Sequence, residues 1–505
     1  MDYKALQNGS DIRGVALPGI EGEEVNLTPH VTERIAMAFA RILKERTGQP
    51  VPKVSIGMDP RLSGPELAAA IRQGLIHENC EVYYYGLSTT PAMFMSTQLA
   101  GMDGAIMITA SHLPFNRNGM KFFTKPGGLE KEEITAILDM AAKLKPGKRV
   151  RQEEVRQADF LNDYAGYLVR FIRKSVSPGK ITGKPLDGMH ILVDAGNGSG
   201  GFFASKVLEP LGADVSGSLY LDPDGRFPNH PPNPEDTTAM AGLTEAVKKG
   251  KADLGIIFDT DVDRAAIVDR TGKPVNRNRL IALISAVLLE EYPGTWIVTD
   301  SITSDGLTTF IEEKLGGHHH RFKRGYRNVI NEAIRLNKTG KECHLAIETS
   351  GHAALKENYF LDDGAYLVAR LLLKMARLKR EGKPGLESLT ENLPEPAEAE
   401  EFRMKILTPD FKAYGEKILD KLREWVSRQQ GWTIVEPNYE GVRVQCDQNN
   451  GDGWFLLRLS LHDPVMPLNI ESNKPEGVIK IRSKLKFFFA GLSGIDAGTL
   501  NSICI

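Results

Sequence analysis

The chain has 505 residues, 41% hydrophobic and 25% charged, the proportions of ordinary globular domains with a real core. At ~150 residues per domain this length predicts three or four domains. The formal net charge of −2 argues against a surface for nucleic acid or another polyanion, and no apolar run approaches the ~20 residues that cross a bilayer. Cys80, Cys343, Cys446 and Cys504 lie far apart, with neither disulfide-framework nor zinc spacing. The opening Met-Asp-Tyr-Lys-Ala lacks the basic and apolar regions of a signal peptide. Together these features predict a cytoplasmic protein with no membrane and no nucleic-acid partner.

In chain order, Ser10-Asp11-Ile12-Arg13-Gly14 precedes a periodic segment from Val31 to Leu43 that predicts a helix. Val54 to Asp59 reads as a strand, followed by Pro60-Arg-Leu-Ser-Gly64 and a helix through Ala68, Ile71 and Leu75. Further strands are expected at Val82–Tyr85 and Ala105–Ile108. The pattern of a strand ending in Asp, a small-residue turn and a helix recurs from Ile191 to Leu211 and from Trp296 to Leu315. Three weakly repeated α/β domains with largely parallel sheets are therefore predicted. Lys143–Arg149 and the Pro- and Glu-rich Asn392–Glu400 read as linkers, the second being the clearest boundary. Beyond it, Thr408 is expected as an N-cap with Pro409 at the first helical position, and Phe411, Ile418, Leu422 and Trp425 share a helix face. Strands are expected over Gly453–Leu461 and near Val478–Ile481, giving a fourth, α+β domain.

Several stretches carry chemistry. After the strand ending at Ile108, Ser111 stands beside His112, and Lys121 returns after the Asn118-Gly119 turn. Hydroxyl, imidazole and ammonium are thus brought close at a strand exit, although an ordinary polar loop is the commoner explanation of such a stretch alone. Leu254 to Asp259 is an apolar strand running into Asp259, Asp261 and Asp263, which project to one face where the backbone stays extended. Three such carboxylates repel unless a cation neutralises them, and all-oxygen ligands suit Mg²⁺ or Ca²⁺. An EF-hand is excluded by Arg264 and Arg270 at its sixth and twelfth positions, while a solvated acidic turn is the competing reading.

Asp194-Ala-Gly196-Asn-Gly198-Ser-Gly-Gly201, with Asp222 about 20 residues later, formally matches a dinucleotide fingerprint, but the same glycines serve any tight strand-to-helix turn. The structural reading is favoured. Glu348, Ser350 and His352 occupy another strand exit, where Glu348 can accept from two sugar hydroxyls. Asp362-Asp363-Gly364 reads as a helix start and Gly317–His320 as a solvated loop. Lys323 and Arg324 beside Gly325 suit a phosphate.

In this order the motifs resemble those of the α-D-phosphohexomutase superfamily, which contains the phosphoglucomutases and phosphomannomutases. Thr109-Ala-Ser-His-Leu-Pro with Lys121 is similar to its phosphoserine loop and Asp259–Arg264 to its metal loop. Glu348–His352 is similar to its sugar-recognition loop, and Arg458-Leu-Ser460-Leu-His-Asp-Pro464 to its phosphate-binding loop. The resemblance implies three related α/β domains (1–156, 157–272 and 273–392) and a C-terminal α+β domain (393–505) like the TATA-binding-protein fold, around one cleft. It implies interconversion of hexose 1- and 6-phosphates of glucose or mannose through a phosphoserine at Ser111 and a hexose 1,6-bisphosphate. Asp259, Asp261 and Asp263, with a phosphoserine oxygen at Ser111, would hold Mg²⁺. Lys121 with His112 or His352 would handle protons, and Arg13 and Arg264 would stabilise the transferring phosphoryl group. Glu348 and Ser350 would grip sugar hydroxyls, while Lys323, Arg458 and Ser460 would hold the distal end.

Three positions depart from the family pattern. Leu113 replaces an Asn beside the serine, Thr260 and Val262 replace glycines in the metal loop, and Leu461-His462-Asp463 replaces Asn-Thr-Glu, with Asn469 near the place of an arginine. The last change keeps open a phosphotransferase that releases the bisphosphate. A non-catalytic sugar-phosphate binder would have no use for Ser111, Lys121 and three aspartates together.

Overall fold

The apolar runs at Val54, Val82 and Ala105 form the middle of a mixed sheet in the computed structural model, which describes residues 2–145, 155–176, 183–460 and 463–501. Its main strands are β1 (Asp11–Val15), β2 (Lys53–Met58), β3 (Glu81–Leu87), β4 (Gly104–Ile108) and β5 (Arg117–Thr124), in the order β1-β5-β4-β2-β3. β2 pairs parallel with β3 and β4, whereas β5 runs antiparallel to β4 and β1. All of β4 is buried, as a continuous apolar run requires when both faces are covered. Helices α1 (Pro29–Thr47) and α2 (Gly64–His77) bring Ile35, Phe39, Ile71 and Leu75 onto Val54, Ile56, Ile106 and Ile108 in one core. Gly119, opposite Arg13 in β1, has no room for a side chain, since a Cβ would lie 2.1 Å from the Ile12 carbonyl oxygen.

A second sheet contains β6 (Ile191–Asp194), β7 (Leu254–Phe258) and β8 (Ala265–Asp269), with β6 parallel and β8 antiparallel to β7. The glycine-rich turn after β6 carries no cradle for a pyrophosphate. A Cβ on Gly198 would fall 2.8 Å from the Thr260 carbonyl oxygen, and the Ser199 N–H donates to that oxygen at 2.8 Å. These glycines therefore seat the backbone of the acidic loop. Asp194 accepts from the Gly196 N–H at 2.9 Å and pairs with His230 Nε2 at 3.0 Å.

Burial opposes charge on His230, but the hydrogen bond to Asp194 and its charge raise the imidazole pKa above the ordinary 6.5. A raised native pKa means that the pair's stabilisation is full below ~6.5 and is lost as pH rises through the native value. The melting-temperature gap between wild type and His230→Gln is expected to be wider near pH 6 than near pH 8.5. Equal gaps in calorimetry at both values would contradict the pairing.

The chain groups into two compact units, Met1–Leu288 with His344–Glu391 and Leu289–Cys343 with Asn392–Ile505. The first also holds the hairpin of β9 (Cys343–Ile347) and β10 (Ala353–Leu355), except for Cys343 itself, and the helix Gly364–Arg380, capped by Asp363 as the helix-start reading expects. The second contains the parallel pair Trp296–Thr299 and His318–Arg321. It also holds an antiparallel sheet including Glu398–Ile406, Val442–Cys446, Gly453–Leu457 and Val465–Ser472, covered by helices Phe411–Val426 and Gly477–Ala490.

Four expectations are corrected here. Val478–Ile481 is helical: Val478, Ile481, Leu485 and Phe488 are buried at helical spacing, which the short Val-Ile-Lys-Ile window disguises as alternation. The cap of Phe411–Val426 is Asp410, which accepts from the Ala413 N–H, two residues past Thr408. The strand from Gly453 ends at Leu457, and Leu461 and His462 lie outside the described residues, as do Cys504 and residues 146–149 of the first linker. His318–His320 is a strand rather than a solvated loop: His318 stacks on Trp296, while His319 bonds Thr299 and Thr308 from the opposite face.

Candidate active site

Three hairpin loops build the site. Thr109–Asn116 joins β4 to β5, Asp259–Arg264 joins β7 to β8, and Glu348–His352 joins β9 to β10. The second and third loops meet through an antiparallel bridge between Arg264 and His352. Ser111 is buried and held at φ +49°, a left-handed conformation that is unfavourable by ~1–2 kcal/mol for an L-residue. Its Oγ donates to Asp259 Oδ2 at 3.0 Å and accepts from Arg264 Nη2 at 3.0 Å. Arg264 also grips Asp259 through its own N–H and Nε, each at 3.2 Å. A hydroxyl is thus fixed between an acid and a cation supplied by one loop.

Asp259, Asp261 and Asp263 are fully buried and offer oxygens within 4.8 Å of one another. Among the described residues, Asp261 Oδ1 and Asp263 Oδ1 have no hydrogen-bond partner. Buried, unsatisfied carboxylate oxygens converging on one point are the donor set of a hard cation, so this acidic group can hold a metal ion. Lys121, reaching in from β5, bonds Asp261 Oδ2 at 3.2 Å and also Asp263 Oδ2. Burial and the neighbouring Asp263 and Asp261 push Asp259 well above the usual carboxylate range. Burial also opposes ionisation of Asp263, but Lys121, His352 and Arg264 hold its pKa below normal. Lys121 stays an ammonium, because Asp261 and Asp263 outweigh its desolvation.

The two histidines are set apart electrostatically. Desolvation and then Arg264 lower the His112 pKa to about 3 although the residue keeps contact with solvent, so its ring is neutral at neutral pH. Its Nδ1 faces Arg264 Nη2 at 2.6 Å and Ser111 Oγ at 3.3 Å, which leaves the proton of the neutral ring on Nε2. Desolvation opposes charge on the half-buried His352, yet Asp362 and Asp263 raise it to about 9, with Nδ1 2.5 Å from Asp362 Oδ2. Arg13 bonds Asp11 at 2.8 Å and the Thr109 carbonyl oxygen, at the base of the serine loop. Glu348 and Ser350 are buried in the third loop, and Ser350 Oγ has no hydrogen-bond partner among the described residues.

The structure brings together Ser111, His112, Lys121, Arg13, Arg264, the three aspartates and His352, with Glu348 and Ser350 on the adjoining loop. Lys323, Arg458 and Ser460 belong to the second unit. There Lys323 is exposed, and Arg458 is buried with its pKa lowered by desolvation and by Arg324. Ser460 Oγ accepts from the Asp463 N–H at 3.3 Å, and Asn469 donates to Glu401 at 3.0 Å.

Sequence reasoning missed three supporting groups. Thr90, at the start of helix α3 (Thr90–Leu99), bonds Asp261 through both its side chain and its N–H. Asn233 accepts from Arg264 Nη1 at 3.3 Å, and Asp362 holds His352. Only the last had a local signal, the doubled aspartate before the helix.

Val262 keeps the loop's turn at φ +67° while wholly buried, a conformation in which a β-branched residue is strained. Val262→Ala discards packing and retains the strain, whereas Val262→Gly relieves ~1–2 kcal/mol of it. Urea titrations are expected to rank the glycine variant above the alanine variant. The reverse order would show that the turn is unstrained.

Residues 4–147, 165–272 and 276–396 match the families described as phosphoglucomutase/phosphomannomutase, alpha/beta/alpha domains I, II and III respectively. A phosphomannomutase/phosphoglucomutase of Pseudomonas syringae pv. tomato is 33% identical over 465 residues, covering 92% of this chain and 90% of its own. A phosphoglucomutase of Neisseria gonorrhoeae is 30% identical over 477 residues, covering 94% and 95%. The crystal structure of a phosphoglucomutase/phosphomannomutase family protein from Burkholderia thailandensis superposes with a TM-score of 0.78 at 27% identity, over 97% of this chain and 98% of that one. Three families matched in order, together with relatives spanning nearly the whole length, place the chain in the phosphoglucomutase/phosphomannomutase family, and it is a phosphohexomutase.

Proposed function

We propose that the protein interconverts hexose 1-phosphates and hexose 6-phosphates, with glucose or mannose as the sugar, by carrying the phosphoryl group on Ser111 and passing through a hexose 1,6-bisphosphate. The observation that carries this reading is the placement of Ser111 Oγ 3.0 Å from both Asp259 and Arg264, beside a buried trio of aspartates. Mg²⁺ suits that all-oxygen set, with Asp259, Asp261, Asp263 and an oxygen of phosphorylated Ser111 as ligands, and when bound it neutralises charge on the phosphoryl group.

The chain's own residues do the rest. The P–Oγ bond at Ser111 breaks as a sugar hydroxyl takes the phosphorus, and Arg264 and Arg13 supply positive charge there. As that bond breaks, the sugar hydroxyl gives up a proton and Ser111 Oγ gains one: neutral His112 can accept, charged Lys121 and His352 can donate, and the return step runs the exchange backwards. Glu348 and Ser350 orient the sugar, and Lys323, Arg458 and Ser460 bind the phosphate that does not react.

The test is initial rates on glucose 1-phosphate and mannose 1-phosphate with Mg²⁺, with and without catalytic hexose 1,6-bisphosphate. The expected product is the 6-phosphate, formed faster with the bisphosphate. Net bisphosphate accumulation would replace a mutase by a phosphotransferase that stops halfway. No conversion, with Ser111 never phosphorylated, would sink both.

A further inference from the structure

We propose that Arg61 is a positioning residue for the phosphoryl-carrying serine, a role that rests on reading Ser111 as that carrier. Arg61 lies in the turn after β2, its side chain is wholly buried, and it touches none of the reacting atoms named above. Its Nη2 donates to the carbonyl oxygens of Ser111 and Leu113 at 2.5 and 2.6 Å. Its Nη1 donates to those of Pro114 and Arg117 at 2.6 and 3.1 Å. The Nε donates to Asp59 Oδ2 at 3.2 Å. A guanidinium has five N–H donors in one rigid plane, and here every one is used.

The consequence is geometric. Three carbonyls of the serine loop and that of Arg117 at the start of β5 are tied to one planar group whose own orientation is fixed by Asp59. Asp59 also accepts from the Arg61 N–H at 3.0 Å, while the Phe227 ring lies 5.1 Å from the guanidinium carbon. Ser111 sits at φ +49°, which a loop free to relax would abandon, swinging Oγ away from Asp259 and Arg264. Arg61 supplies the restraint through the backbone. Leu113 takes part only through its carbonyl oxygen, so the clamp is indifferent to the loss of the family's Asn side chain there. Lysine cannot replace it, because an ammonium lacks the fork that reaches four acceptors in one plane.

The test uses Arg61→Lys and Arg61→Met in the full chain, with three readouts. Amide hydrogen exchange over residues 109–117 is expected to rise about tenfold, with residues 254–269 unchanged. Single-turnover phosphorylation of Ser111 by glucose 1,6-bisphosphate is expected to slow about 100-fold, the effect of misplacing a reacting atom by ~1 Å. Affinity for Mn²⁺, as the metal probe, is expected to stay within about threefold, because the aspartates stand on another loop. Wild-type exchange and phosphorylation rates in both variants would overturn the proposal. So would loss of metal affinity in step with phosphorylation, or loss of cooperative unfolding, since Arg61 would then support the whole fold. If wild-type Ser111 takes no phosphate, the functional reading falls, while the exchange measurement still decides whether the clamp exists.

Discussion

Ser111→Ala is expected to lower kcat for hexose phosphate interconversion by a factor on the order of 10⁴ or more, because no neighbouring group can replace a covalent carrier. The fold should survive. Asp259 and Arg264 already pair with each other at 3.2 Å, so deleting the hydroxyl strands neither of them, and the stability change should stay within ~1–2 kcal/mol. Initial rates alongside thermal melts separate the two effects. A residual rate within about 100-fold of wild type would show that the phosphoryl group travels by another route.

Lys121→Met is the second large effect, and it falls on stability as well as turnover. Lys121 is paired with Asp261 at 3.2 Å and with Asp263, and all three side chains are buried. Removing one partner from a buried ion network costs about 3–5 kcal/mol, mostly because the remaining charges are uncompensated. A divalent cation placed among the aspartates supplies the missing charge, so added Mg²⁺ should recover more stability in the variant than in wild type. Urea titrations with and without Mg²⁺ measure both. A loss under about 1 kcal/mol, or an equal response to the metal, would mean that the ammonium is not the counter-charge of this site.

Much of this site is legible in the sequence because its chemistry sits where strands stop. The apolar runs before Ser111, Asp259 and Glu348 end abruptly, and each of those residues stands in a hairpin loop just beyond a buried strand. A local pattern marks such places. It cannot mark Thr90, Asn233 or Arg61, because each acts on a partner far along the chain and looks locally like a helix start, a loop residue or a turn residue. Thr90 and Asp261 are 171 positions apart. The glycine-rich turn shows the converse: its spacing imitates a nucleotide motif, yet Gly198 is small because the Thr260 backbone lies against it. The misread strand at Val478 has another cause, since four residues are too few to distinguish a period of two from one of 3.6.

The ties of Lys121 and Thr90 to the acidic hairpin also bear on how the protein is made. Ser111 and Asp259 are separated by 148 positions, so the serine loop leaves the ribosome long before the carboxylates that complete it. Residues 191–269, taken alone, would close a hairpin around three carboxylates with neither Lys121 nor Thr90 to meet them. The acidic turn should therefore be among the last parts of the first unit to acquire native protection during refolding. Contacts of such long range repay their loop-closure entropy only after both sheets exist. The residues that make the reaction run would then be those that set the pace of folding.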